Sequence, residues 1–211
     1  MQTASSGTPA TIDFWFDFAS NYSYLSVMRI EEAAARQHIE VRWRPFLLGP
    51  IFRALGHHTS PFVEQKEKGA YVWQDMVREC RKYDLPWVRP DVFPRASLLA
   101  ARVATLGRSE PWIGAFCRQV MLRNFAEDRD TESPADIGEV LAQLGLPAER
   151  ILADALTDAN KLALRHATEE AQAKGIFGAP TFFAGDEMFW GNDRLDDALA
   201  CCMSTSMPSR T

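Results

Sequence analysis

Three short stretches hold the residue types that could do chemistry: Ser20-Asn21-Tyr22-Ser23, Gly178-Ala179-Pro180-Thr181 and Trp190-Gly191-Asn192-Asp193. Ser20 follows an apolar run and stands where a helix would begin. A helix N-terminus presents unpaired N–H groups and the positive end of the helix dipole, so it favours an anion. Cysteines at positions 20 and 23 would place a thiolate there for disulfide exchange. Both positions are serine, and with no sulfur in either, disulfide exchange is excluded as the mechanism. A serine hydroxyl can instead donate to a thiolate that a ligand brings. A free thiol titrates near about 8.5, and lowering it by two units takes about 2.7 kcal/mol. One charge-assisted hydrogen bond plus a dipole can supply that. Glutathione is the obvious carrier of such a thiol.

Each stretch also has a plainer reading. Serine is a preferred N-cap in any helix. A proline cannot donate to a strand ladder, so Pro180 belongs at a strand's first residue, and only X-Pro bonds adopt cis at low cost. Asn192-Asp193 reads equally as a cap and a first-turn acid. His57-His58 lies in a polar loop with no third ligand evident, so no metal is expected. Arg53 and Lys68 read as solvated, though either could meet a carboxylate. The four cysteines, Cys80, Cys117, Cys201 and Cys202, form neither Cys-x-x-Cys nor a zinc-ligand spacing and read as buried or incidental thiols.

The elements that must position these stretches follow from apolar periodicity. Ile12, Phe14, Phe16 and Phe18 alternate with Asp13, Trp15 and Asp17, which predicts a strand over 12–18, buried on both faces. A helix from Ser20 to Ala35 and a second strand over 39–46 complete a βαβ unit with parallel strands. Pro45 and a Leu-Leu-Gly-Pro turn at 47–50 are expected to stop that strand. Helical spacing then recurs at 71–83, 96–106, 111–125, 134–144, 148–155 and 158–173. Ser109, Ser133 and Gly145 serve as end signals. Thr181–Phe183 and Met188–Trp190 read as a hairpin across Gly185-Asp186, and Asn192 is expected to cap a closing helix through Leu199.

With 211 residues, 46% of them hydrophobic and 24% charged, the chain is an ordinary globular one with a real core. A net charge of −5 without a basic run argues against nucleic acid and anionic membrane. The polar start has neither the basic nor the apolar part of a secretory signal, so a cytoplasmic location is expected.

These pieces together resemble the 2-hydroxychromene-2-carboxylate isomerases and the kappa-class glutathione transferases, a branch of the DsbA-like thioredoxin fold. The resemblance rests on Phe16-Asp17-Phe18-Ala19-Ser20-x-x-Ser23-Tyr24-Leu25, on Phe177-Gly178-Ala179-Pro180-Thr181 and on the run from Gly185 to Leu195, within a span from Ile12 to Ala200. It implies an α/β, thioredoxin-like fold with a large all-helical insertion. The thioredoxin-like part would be residues 12–49 and 175–200, the insertion 50–174, and the tails 1–11 and 203–211 would be flexible. It also implies a homodimer, glutathione as cofactor, and no metal.

Carried over residue by residue, Ser20 would donate to the glutathione thiolate. The backbone at Ala179, before a cis-Pro180, would pair with the tripeptide like an added strand. Trp190, Gly191, Asn192 and Asp193 would hold the γ-glutamyl end, Asp193 meeting its ammonium. An aromatic carboxylate substrate would lie near Phe52, Arg53, Phe93 and Pro94, with Arg53 meeting its carboxylate. The family reaction interconverts a hydroxychromene carboxylate and its ring-opened benzylidenepyruvate isomer in the breakdown of aromatic compounds such as naphthalene. Addition of the thiolate would free a bond to rotate before the thiolate departs. The chain departs from the family pattern at Asn21, where proline is usual, at His57, where asparagine is frequent, and over Phe93–Ser97, where Ala96 and its neighbours include no asparagine. All three departures touch the substrate side. A kappa-like transferase acting on electrophiles is the second enzyme reading. A non-catalytic thioredoxin-like binding module is the reading of another class.

Overall fold

A computed structural model of the chain describes residues 9–205. Four strands form one sheet in the order β2-β1-β3-β4. They are β1 (Thr11–Phe16), β2 (Glu40–Pro45), β3 (Thr181–Ala184) and β4 (Glu187–Trp190). β1 and β2 are parallel, in register from Thr11 opposite Glu40 to Phe16 opposite Pro45, and α1 (Asn21–Ala35) connects them. β3 runs antiparallel to β1 and pairs with β4 across the expected hairpin.

Alternation along the strands sorts side chains between two apolar clusters. Ile12, Phe14 and Phe16 join Trp43 and Phe182 in the main one, under Leu25 and Ile30 of α1. Leu195 and Leu199 of the last helix close over the same cluster. Phe14 stacks on Phe16 and on Phe182, each at 5.2 Å between ring centroids. Trp15 and Phe183 enter the second cluster with Phe46, Leu48, Ile51, Ala171 and Ile176. The sheet is therefore apolar on both sides, as Trp15 between the phenylalanines suggests.

Between β2 and β3 the chain is helical: α2 (Leu48–Ala54), α3 (Pro61–Glu64), α4 (Lys66–Lys82), α5 (Leu98–Leu106), α6 (Ile113–Phe125), α7 (Pro134–Gln143), α8 (Ala148–Ala155) and α9 (Asp158–Ala173). Several local readings need correction. Leu47–Pro50 is not a turn: Leu47 is the N-cap of α2 and Pro50 lies in its first turn. Proline is tolerated there because first-turn N–H groups have no partner within the helix. Ser109 does not cap α6, whose N-cap position is held by Trp112 without a side-chain bond. Ser133 does cap α7, accepting from the Asp136 N–H at 3.1 Å.

β1 ends at Phe16 rather than Phe18 because Asp17 turns the chain. Its carboxylate accepts from the Ala19 N–H at 2.8 Å and the Leu48 N–H at 2.7 Å. At the other end, Asn192 opens a 3-10 turn (Asn192–Arg194) whose cap position is Gly191, and α10 (Leu195–Thr205) follows. Thr11 belongs to β1 and residues 203–205 to α10, so neither expected tail is wholly outside regular structure. Residues 1–8 and 206–211 of those tails lie outside the described residues.

Candidate functional site

Ser20 is the N-cap of α1, with φ −86° and ψ 116°. Its Oγ accepts from the Ser23 N–H at 3.1 Å and donates to the Ala179 carbonyl at 2.9 Å. Residues 159 positions apart thus meet at one hydroxyl. The Ala179-Pro180 peptide is cis. The Thr181 hydroxyl donates to the Gly178 carbonyl at 2.9 Å and closes the turn from within. The Gly191 N–H donates to the Pro180 carbonyl at 3.0 Å, which ties the third sequence stretch to the second.

Gly191 has φ +110°, a backbone region that a side chain rarely tolerates, and a Cβ there would come within 2.5 Å of an Asp193 carboxylate oxygen. Asp193 is 69% exposed and lies 3.5 Å from Arg194. Trp190, half exposed, lies tilted against Phe177 at 4.8 Å between ring centroids and covers Gly178, where a Cβ would collide with the indole nitrogen at 2.4 Å. Asn192 behaves differently from the cap it was expected to be. Its side chain is buried and bonded to Ser26, Arg29 and Glu79.

The four residues expected on the substrate side do not form one group. Phe52, on α2, packs against the second cluster and lies edge-on to His57 at 6.1 Å, while Arg53 is exposed beside it. Phe93, followed by a cis bond to Pro94, meets Trp73 at 4.8 Å. A series of rings continues from Trp73 to Trp87 (6.2 Å), Phe125 (5.9 Å) and Tyr24 (5.6 Å). Tyr24 is one turn along α1 from Ser20, so Phe93 is linked to the Ser20 helix and Phe52 to the other side of the sheet.

The loop after Gly56 folds around the Glu64 carboxylate. It accepts from the His58 and Thr59 N–H groups at 2.6 and 3.1 Å and lies 2.7 Å from His57 Nδ1. Those contacts, the Thr59 N–H first, hold Glu64 below the ordinary carboxylate range. Among the described residues no group of three or more His, Cys, Asp or Glu could hold a metal ion. None of the four cysteines is in a disulfide. Burial pushes the Cys80 thiol up to about 12 and Cys202 to about 11, and raises Cys117 well above its ordinary value. Cys201 is raised as well, by burial and then by the Glu187 carboxylate. Burial thus disfavours the thiolate form at each of them.

Sequence reasoning missed Asp17, Ser26, Arg29 and Glu79, which fix the site from behind. Asp17 had a signal: it is an acid within a run otherwise fit for burial on both faces. It is buried, and desolvation raises its pKa against the lowering effect of the Leu48 and Ala19 N–H groups. The roles of Arg29 and Glu79 depend on partners distant in sequence and carry no local signal.

The family profile of the DSBA-like thioredoxin domain matches residues 11–200. A 2-hydroxychromene-2-carboxylate isomerase of Sphingobium xenophagum is 30% identical over 186 residues, covering 88% of this chain and 94% of that protein. Rat glutathione S-transferase kappa 1 is 25% identical over 205 residues, covering 89% and 88%. Among solved structures, a 2-hydroxychromene-2-carboxylate isomerase superposes with a TM-score of 0.81 at 26% identity, covering 94% of this chain and all of that one. The matches run along nearly the whole chain on both sides: this protein belongs to the DsbA-like thioredoxin family, in the branch of the 2-hydroxychromene-2-carboxylate isomerases and kappa-class glutathione transferases.

Proposed function

We propose that the chain is a glutathione-dependent isomerase. It interconverts 2-hydroxychromene-2-carboxylate, or a close aromatic analogue, and trans-o-hydroxybenzylidenepyruvate in the degradation of aromatic compounds. The observation that carries this reading is the Ser20 hydroxyl, held at the start of α1 and 2.9 Å from the Ala179 carbonyl. When bound, glutathione supplies a nucleophilic thiolate. The chain's residues fit it: a hydroxyl donor, the positive end of the α1 dipole, a partly exposed Ala179 and an exposed Asp193 carboxylate.

Ser20 turns its O–H from the Ala179 carbonyl toward the thiolate and stabilises the anion, with the α1 dipole behind it. Ala179 offers backbone hydrogen-bonding groups to the tripeptide. Trp190 and Gly191 shape the γ-glutamyl end, Asn192 fixes that turn, and Asp193 takes the ammonium. Phe93 and Pro94, at the end of the ring series, and Phe52 with Arg53 flank the aromatic substrate, Arg53 meeting its carboxylate. The same reading makes residues 12–49 and 175–200 the thioredoxin-like unit and 50–174 its insertion. It also makes the protein a cytoplasmic homodimer. Among the described residues no helix is long and apolar enough to cross a membrane.

The test is turnover of the chromene carboxylate, followed by absorbance, with and without millimolar glutathione. The expected result is conversion that requires glutathione. Conjugation of glutathione to a chloro-nitrobenzene in place of that conversion would favour the transferase reading. Turnover that requires glutathione but is unchanged in Ser20→Ala would overturn the role of Ser20.

A further inference from the structure

Asn192 is 4% exposed, and its amide is engaged at both ends within the protein. Its Oδ1 accepts from Ser26 Oγ at 3.1 Å and from Arg29 Nη1 at 3.0 Å, and its Nδ2 donates to Glu79 Oε2 at 3.4 Å. Arg29 is itself well fixed. Its guanidinium lies 3.7 Å over the Tyr83 ring, Nη2 is 3.8 Å from the Asp196 carboxylate, and its side chain is 18% exposed. Groups from α1 and α4 therefore converge on one buried amide, and Asp196 of α10 reaches Arg29 behind it.

That amide belongs to a backbone segment with little else to define it. Gly191, at φ +110°, is the most permissive residue type, and the 3-10 turn after it has three residues and no side-chain cap. The segment is held by the Gly191 N–H to the Pro180 carbonyl (3.0 Å), the Arg194 N–H to the Gly191 carbonyl (3.1 Å), the Leu195 N–H to the Asn192 carbonyl, and the Asn192 side chain. Asp193, one residue on and largely exposed, is aimed by that backbone rather than by packing of its own.

We propose that Arg29 is a positioning residue. Through the Asn192 amide it locks the Gly191–Asp193 turn, and so holds the Asp193 carboxylate where a ligand ammonium meets it. Ser26 and Glu79 complete the lock, and Glu79 carries it to α4. The lock itself stands on the contacts above; its consequence for a ligand rests on the glutathione reading.

The experiment compares the parent with Arg29→Met, which keeps an apolar stem of similar length and removes the guanidinium, with its donors and its contact on the Tyr83 ring. Two quantities are read: amide hydrogen exchange at Gly191 and Arg194, and the split between glutathione half-saturation and kcat. Exchange at both amides is expected to rise about tenfold or more while the β1 and β3 amides stay protected. Glutathione half-saturation rises about five- to tenfold, kcat at saturating glutathione stays within about twofold, and Arg29→Lys restores most of the loss. Ser26→Ala removes one small hydroxyl and makes the same changes at about two- to threefold, so the inference is still tested if Arg29→Met folds poorly. Unchanged exchange at Gly191 and Arg194 overturns the lock. A fall in kcat with half-saturation unchanged overturns its consequence. If the parent binds no glutathione, the functional reading fails, and the exchange rates still decide the role of Arg29.

Discussion

The two sides of the site are held in different ways. On the sheet side, Ser20, Ala179, Gly191 and Asn192 each make a specific hydrogen bond, at 2.9 to 3.4 Å, to a residue from another stretch of the chain. On the helix side, Phe52 and Phe93 are placed by apolar contact with different clusters, and Arg53 is exposed near the end of a seven-residue helix. Hydrogen bonds fix a group to tenths of an ångström, whereas contact between rings tolerates sliding and replacement. On the proposed function, the first side would present fixed polar groups to glutathione, and the second would be the side that varies with the aromatic substrate.

The strongest way to break this comparison is at Ser20. Ser20→Ala removes both the bond from the Ser23 N–H and the bond to the Ala179 carbonyl. It is expected to cost about 1–2 kcal/mol of stability as a lost cap. It is also expected to raise the pKa of the bound thiol by about one to two units, from about 6.5, and so to reduce turnover at pH 7 about 3- to 25-fold. The rate should recover as pH rises, because the serine's contribution is to the anionic form. A loss that is equal at every pH would mean the hydroxyl only orders the turn.

Gly191→Ala acts next on the same side. The new methyl would stand 2.5 Å from an Asp193 oxygen in a backbone region essentially confined to glycine, at a cost of about 1–3 kcal/mol. The expected result is a glutathione affinity about tenfold weaker, read by calorimetry, with a smaller effect on kcat. Asp193→Ala should likewise act mainly on glutathione binding. Equal affinity in Gly191→Ala and the parent would place the ligand's charged end away from this turn.

The helix side should answer in the other substrate. Arg53→Gln is expected to raise half-saturation for the aromatic carboxylate about three- to fivefold, an exposed charge contact being worth little, and to leave glutathione affinity unchanged. A change in glutathione affinity would instead put Arg53 on the fixed side and erase the contrast.

How much of this was legible in the chain follows from the same contrast. The alternation at Ile12, Phe14 and Phe16, the hairpin at Gly185 and the cap at Ser20 are local devices, and a reader of the sequence can see them. The bonds from Asn192 to Ser26 and Glu79 cross 166 and 113 positions, and no periodicity encodes them. Asn192 was therefore read as a cap, the local job its residue type suggests, while the fold spends its amide elsewhere. The start of α2 was read as a turn for a related reason. Leu47, Leu48 and Gly49 give no capping signal, and what fixes that start is the bond from the Leu48 N–H to Asp17, 31 positions earlier.

Asn21 brings local rule and tertiary setting together in the smallest predicted effect. It occupies the first position of α1, is 1% exposed, and among the described residues neither its Oδ1 nor its Nδ2 has a hydrogen-bond partner. An unpaired buried polar group costs about 1–3 kcal/mol. Proline suits this position in three respects. Its missing N–H has no partner within the helix, its φ near −65° is helical, and Ser20 before it is already extended, at ψ 116°. Asn21→Pro should therefore raise stability by about 1 kcal/mol, measured by urea unfolding at unchanged m-value, with glutathione affinity untouched. If half-saturation for the aromatic substrate also stays the same, Asn21 is a tolerated defect of the frame. If it changes while glutathione affinity does not, the asparagine belongs to the variable side and its amide is there to be paired by substrate. A loss of stability would contradict both, since it would mean that the amide is already satisfied in solution.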